Sequence, residues 1–102
     1  MNTEERNIKV QEFFGGCVEL MRRKGRDYSP DDVAFKQETD IGETLGMSPE
    51  QVLYVHMKKH LAALNAYFKN GCLESDTLHS RLQDVANYAA LINTCVNARA
   101  TE

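Results

Sequence analysis

A chain of 102 residues with 42% hydrophobic content has room for one small core, and a domain of that size gains by burying more of its surface against further copies of itself. Fifteen acidic and twelve basic residues leave a net charge of −3, which supplies no field for holding nucleic acid or an anionic membrane, so direct nucleic-acid binding is not expected. Cys17, Cys72 and Cys95 are an odd number without CxxC spacing, which argues against a disulfide framework or a zinc site.

The first helix is expected over roughly residues 4 to 24. Thr3 reads as its N-cap, Glu4 and Glu5 suit the positive end of the helix dipole, and Val10, Phe13, Phe14, Cys17, Leu20 and Met21 follow at helical spacing. Gly15 and Gly16 sit in its middle, where each costs about 1 kcal/mol relative to alanine, and close packing against another backbone would explain the pair. Gly25 reads as its left-handed stop. Ser29-Pro30-Asp31-Asp32 then has the form of a cap, an N1 proline and an acidic first turn, so a second helix is expected from Pro30. Gly42 and Gly46 interrupt the sparse pattern of Val33, Phe35, Ile41 and Leu45, which predicts two short pieces.

Ser48-Pro49-Glu50-Gln51 is the clearest local signal, a capping box with proline at N1. It opens a third helix that Asn70-Gly71 should stop. Leu53, Met57, Leu61, Leu64 and Phe68 form one apolar stripe of this helix, and Val52, Val55, Ala62, Ala63 and Ala66 a second, flatter one. A helix with two apolar faces touches more than one neighbour, in its own chain or a second copy. The fourth helix is expected from Ser75 or Asp76, with Leu78, Leu82, Val85, Ala89, Ile92 and Val96 at alternating spacings of four and three, as in bundles. The fold class read from these patterns is all-α: a single domain over residues 1–102, three long helices plus a short irregular helical segment, expected to be oligomeric. No apolar leader follows Met1 and no run reaches membrane-spanning length, so a cytoplasmic location is expected.

Two stretches place ionisable groups on apolar faces. His56 and His60 on helix three are four apart, as in helical metal sites, but Met57 stands where a metalloprotease carries glutamate and Lys58 and Lys59 would repel a cation, so no metal and no cofactor are expected. The lysines suit an anion better. Lys59 shares a side with His56 and His60 and needs a negative partner. On helix four, Arg81, Asp84 and Tyr88 fall three and four apart along one side. Asp84 could pair internally with Lys59; alternatively a ligand phosphate takes Lys59, His60 and Arg81 as donors. The basic run Arg22-Arg23-Lys24-Gly25-Arg26 is either a solvated helix terminus or a phosphate-binding corner. Tyr28, in a loop after Asp27 and ahead of a helix N-terminus, is a candidate for stacking on a base beside a phosphate.

The segments Arg23-Lys24-Gly25-Arg26-Asp27-Tyr28-Ser29-Pro30, Val52 to Leu64 with Lys59-His60, and Leu82-Gln83-Asp84-Val85-Ala86-Asn87-Tyr88-Ala89 together resemble the nucleotide-modification-associated domain family, a group of small, mostly bacteriophage-encoded proteins. The resemblance spans roughly residues 20 to 93, with Val85 in place of a usual leucine and Ser29-Pro30 where glycine is common. It implies a role in phage nucleotide metabolism or DNA modification, in the cytoplasm of a bacterial host, with no settled reaction. All-α nucleoside triphosphate pyrophosphatases hold magnesium on paired Glu-x-x-Glu and Glu-x-x-Asp motifs; here Arg81 stands three residues before Asp84, and helix three has no acidic residue after Glu50, so turnover is not favoured. Phage proteins of this size also include oligomeric anti-defence sponges that sequester signalling nucleotides. The resulting expectation is a homo-oligomer that binds a nucleotide or cyclic nucleotide without turnover through Arg26, Asp27, Tyr28, His56, Lys59, His60, Arg81, Asp84 and Tyr88. The alternatives are an enzyme of nucleotide metabolism or base modification, and a helical protein-interaction module.

Overall fold

The local chemical reasons for where a helix begins and ends are clearest at α3. In the computed structural model, which describes residues 1–28 and 33–100 and, for residues 27, 28, 99 and 100, the backbone alone, four helices follow in order. They are α1 (Thr3–Tyr28), α2 (Lys36–Leu45), α3 (Pro49–Asn70) and α4 (Leu78–Ala100), with no strand among the described residues. At the start of α3, Ser48 Oγ accepts from the Gln51 N–H and Gln51 Oε1 accepts from the Ser48 N–H at 2.8 Å, so the expected capping box forms with Pro49 at N1. Gly71, at φ 79°, closes the helix in the left-handed region and donates its N–H to the Tyr67 carbonyl.

Three boundaries differ from the sequence expectation. Asn2, not Thr3, caps α1, with its Oδ1 accepting the Glu5 N–H at 2.8 Å while the Glu5 carboxylate accepts the Asn2 N–H. The helix then passes through Gly25 to Tyr28, because Gly25 keeps a helical backbone and Arg26 meets the negative end of the dipole. Asp27 and Tyr28 thus lie on the last turn of a helix, where a loop was expected. At the other end, Thr77 is the cap of α4, its Oγ1 accepting the Ser80 N–H at 3.0 Å, one or two residues later than Ser75 or Asp76.

The region expected to hold two short pieces has one regular helix, α2, among its described residues; the expected start at Ser29–Asp32 lies outside them. Gly42 does not break α2. It is buried where a side chain would run into the Met47 carbonyl, so the α2–α3 connection folds back over a position only glycine can occupy. Gly46 then ends the helix in the left-handed region.

α3 and α4 form an antiparallel hairpin: His60 meets Arg81 near the connection, and Glu50 meets Cys95 at the far end. α2 lies on α3 and α1 on α4, on one side of this hairpin. The Gly15-Gly16 pair divides: Gly16 faces α4, where an added Cβ would meet the Gln83 amide, whereas Gly15 faces open space. The core is small, with Cys17, Val52, Leu53 and Cys95 buried. The expected seams are only half covered, since Leu61 and Phe68 of α3 and Leu82, Ala89 and Val96 of α4 are exposed. Among the described residues, no element packs over that side of the hairpin.

Candidate functional site

On the other side of the hairpin, α1, α2, α3 and α4 enclose a cleft of about 510 Å³. Met21, Ile41 and Leu91 give it apolar walls, Phe35 and Tyr88 add rings, and Lys24, Glu38, His56, Asp84 and Asn87 converge as polar groups. Phe35 sits at φ 62° just ahead of α2, a conformation costing on the order of 1–2 kcal/mol for a residue other than glycine. Thr39 partly offsets it by donating both its N–H and its hydroxyl to the Phe35 carbonyl.

Asp84 is the anchor of the polar groups. Its side chain is 8% exposed, and a buried carboxylate requires a cation or several donors. The Lys24 Nζ supplies one at 3.1 Å, reaching from α1 across sixty positions of sequence. Lys24 is placed for this by the 13, 17, 20, 24 periodicity of α1, which puts it on the same face as Phe13, Cys17 and Leu20. An internal Lys59–Asp84 pair is therefore not what forms. Lys59 is exposed on α3, outside the cleft, because its position falls on the side of α3 turned away from α4.

Behind Asp84 a second layer is tied together. Arg81 Nη1 lies 3.0 Å from His60 Nδ1, and its Nη2 donates to the Ser75 hydroxyl and approaches the Asp76 carboxylate at 3.7 Å. A guanidinium only donates, so His60 Nδ1 must be the bare, accepting nitrogen and the ring proton sits on Nε2. The His60 contact with Asp84 at 3.6 Å is then between two acceptors and is not an ion pair. The charge balance agrees: burial pushes the His60 pKa below its ordinary value, Asp84 pulls it up, and Arg81, Lys59 and Lys24 push it down. The Tyr88 ring stacks against both imidazoles, 5.5 Å from His60 and 6.0 Å from His56. The Arg81 Nε is buried without a hydrogen-bond partner among the described residues.

The expected site residues thus separate. His56, Asp84 and Tyr88 line the cleft. His60 and Arg81 lie behind it, where Arg81 orients the His60 ring that stacks on Tyr88. Lys59 and Arg26 are exposed and outside its lining, and the side chains of Asp27 and Tyr28 lie outside the described residues. Lys24, Asn87, Phe35 and Glu38 were not singled out as site residues. Lys24 could have been found from its place on the apolar face of α1, and Asn87 from its position three after Asp84; nothing local marks Phe35 or Glu38. Among the described residues no three His, Cys, Asp or Glu side chains converge as a metal's ligands would, and no helix is long and apolar enough to cross a membrane. Comparison with family models, with curated proteins and with solved structures gives no match.

Proposed function

We propose that the chain binds a nucleotide or nucleotide-derived signalling molecule in the four-helix cleft and releases it unchanged. One observation carries the reading: Lys24, Asp84, Asn87 and Tyr88, which come from two motifs far apart in sequence that resemble the phage nucleotide-modification-associated family, line the same cleft. Their chemistry suits such a ligand. Tyr88, backed by two imidazoles, offers a rigid face for a base, while the Asp84 carboxylate and the Asn87 amide can accept from and donate to a base edge or ribose. The Lys24 ammonium is half exposed and has three donors, of which Asp84 takes one, so a phosphate can use the others.

A metal-dependent hydrolase of nucleoside triphosphates is the second reading, supported by Glu38 and Asp84 both lining the cleft. Magnesium takes several oxygen ligands, and an Asp84 already held by Lys24 is a poor one.

Isothermal titration against a panel of nucleoside mono-, di- and triphosphates, cyclic dinucleotides and cyclic ADP-ribose isomers tests the proposal. A saturable heat with at least one member is expected, with that compound recovered chemically intact by chromatography. Leu91→Trp, which fills the cleft, should abolish the heat while leaving helix content unchanged. No heat with any member removes the binding reading, and recovery of a hydrolysed product replaces it with the enzymatic one.

A further inference from the structure

The face of the α3/α4 hairpin opposite the cleft carries two apolar rows. Tyr54, Leu61 and Phe68 follow one another along α3 at intervals of seven, and Leu82, Ala89 and Val96 do the same along α4. All six are exposed, Phe68 at 77%. Their common placement follows from helix geometry. On α3 the row lies to one side of the line of contact with α4, where Glu50 meets Cys95 and His60 meets Arg81 and Tyr88, and the cleft residue His56 lies to the other. On α4 the row lies to one side of Arg81, Tyr88 and Cys95, which face α3, and Asn87 and Leu91 lie to the other. Because the two helices are antiparallel, both rows emerge on the same face.

A seven-residue repeat is the spacing at which helices that wind around one another keep a seam against their partners, giving left-handed bundles with crossings of about 20°. Here each seam is present, and among the described residues no helix covers it. The surface area says the same. The protomer exposes 7522 Å², whereas a folded monomer of its mass exposes about 5,800 Å², a surplus of about 1,700 Å². The radius of gyration is 15.6 Å, against about 13 Å for a globule of this length. The projecting first turns of α1 account for part of this surplus. The surplus exceeds the roughly 800 Å² that each partner of a standard interface buries.

We infer that this face docks a second copy of the same chain, so that two α3/α4 hairpins meet across a two-fold axis and complete a four-helix bundle. The same patch serves on both copies, as an isologous interface requires. Each cleft then faces outward from the dimer and stays open.

Sedimentation equilibrium of the full chain is the test, with circular dichroism on the same samples. The wild type should have about twice the mass of 11.6 kDa. Leu61→Asp and Ala89→Trp, placed mid-row on the two helices, should each sediment as one chain; both positions are exposed in the protomer, so neither removes a core contact. Phe14→Asp alters an exposed apolar residue on α1, away from the rows, and should remain dimeric. A wild type of one chain, or of more than two, overturns the inference. So does a dimer that survives Leu61→Asp and Ala89→Trp but is broken by Phe14→Asp.

Discussion

Arg81 and His60 meet with a guanidinium nitrogen 3.0 Å from the imidazole Nδ1, and this contact fixes both the tautomer and the charge of the histidine. The ring is held neutral with its proton on Nε2. It is pinned between Arg81 on one edge and the Tyr88 ring on its face, directly behind the buried carboxylate of Asp84. The neutral state has consequences for stability.

In the unfolded chain, His60 should gain its proton near pH ~6.5. In the fold, burial first and then Arg81, Lys59 and Lys24 push that event to lower pH against the opposing pull of Asp84. The unfolded state therefore binds more protons just below the ordinary histidine range. The contribution of neutral His60 is complete above the unfolded value and is lost as pH falls below it. Urea unfolding between about pH 7.5 and 5.5 should show declining stability, and His60→Gln should flatten the decline. A slope identical in wild type and variant would remove His60 as its source.

Lys24 and Lys59 should behave differently although both are exposed lysines. Lys24→Met leaves the buried Asp84 without its cation. We expect a loss of about 1–2 kcal/mol, less than for a fully buried pair because Lys24 is half in water. Lys59→Met should change stability by no more than about 0.5 kcal/mol, as for other surface positions. Denaturant midpoints of the two variants provide the comparison.

The glycines make a second contrast. A methyl group at Gly42 would run into the Met47 backbone, so Gly42→Ala should cost about 1–3 kcal/mol and loosen the α2–α3 connection. Gly15 meets nothing, and Gly15→Ala should stabilise α1 by about 0.5–1 kcal/mol through helix propensity alone. Thermal melts of both variants would show shifts of opposite sign.

The thiols report on the packing of α1. Cys72 is exposed, whereas Cys17 and Cys95 are buried, and burial together with the nearby Asp84 raises the pKa of Cys17. Ellman's reagent should modify one thiol rapidly in the native protein and the other two only on unfolding. Fast reaction at Cys17 would mean that α1 does not stay seated on α4.

Much of the fold could be read locally. The capping box at Ser48, the Gly71 stop and the regular spacing of α4 are interactions within a few residues, so they place α3 almost to the residue and the start of α4 to within two or three. The irregular start of α2 could not be read, because Phe35 takes a left-handed backbone without any of the residue types that ordinarily mark one. At the site, the apolar-face placement of His60, Arg81, Asp84 and Tyr88 was legible from periodicity.

Which lysine reaches Asp84 was not. A helical repeat tells which side of a helix a residue occupies, but not which other helix lies there. Lys59 was a plausible partner while α3 and α4 were considered alone; once α1 packs on α4, Lys24 is at 3.1 Å and Lys59 points away. The sequence by itself determined the long helices, the caps of α3 and the presence of charged groups on apolar faces, because those follow from contacts three and four residues apart. Only the tertiary structure decided which charge meets Asp84, that a cleft opens between four helices, and that two apolar rows are left without a neighbour, because these depend on how helices distant in sequence cross.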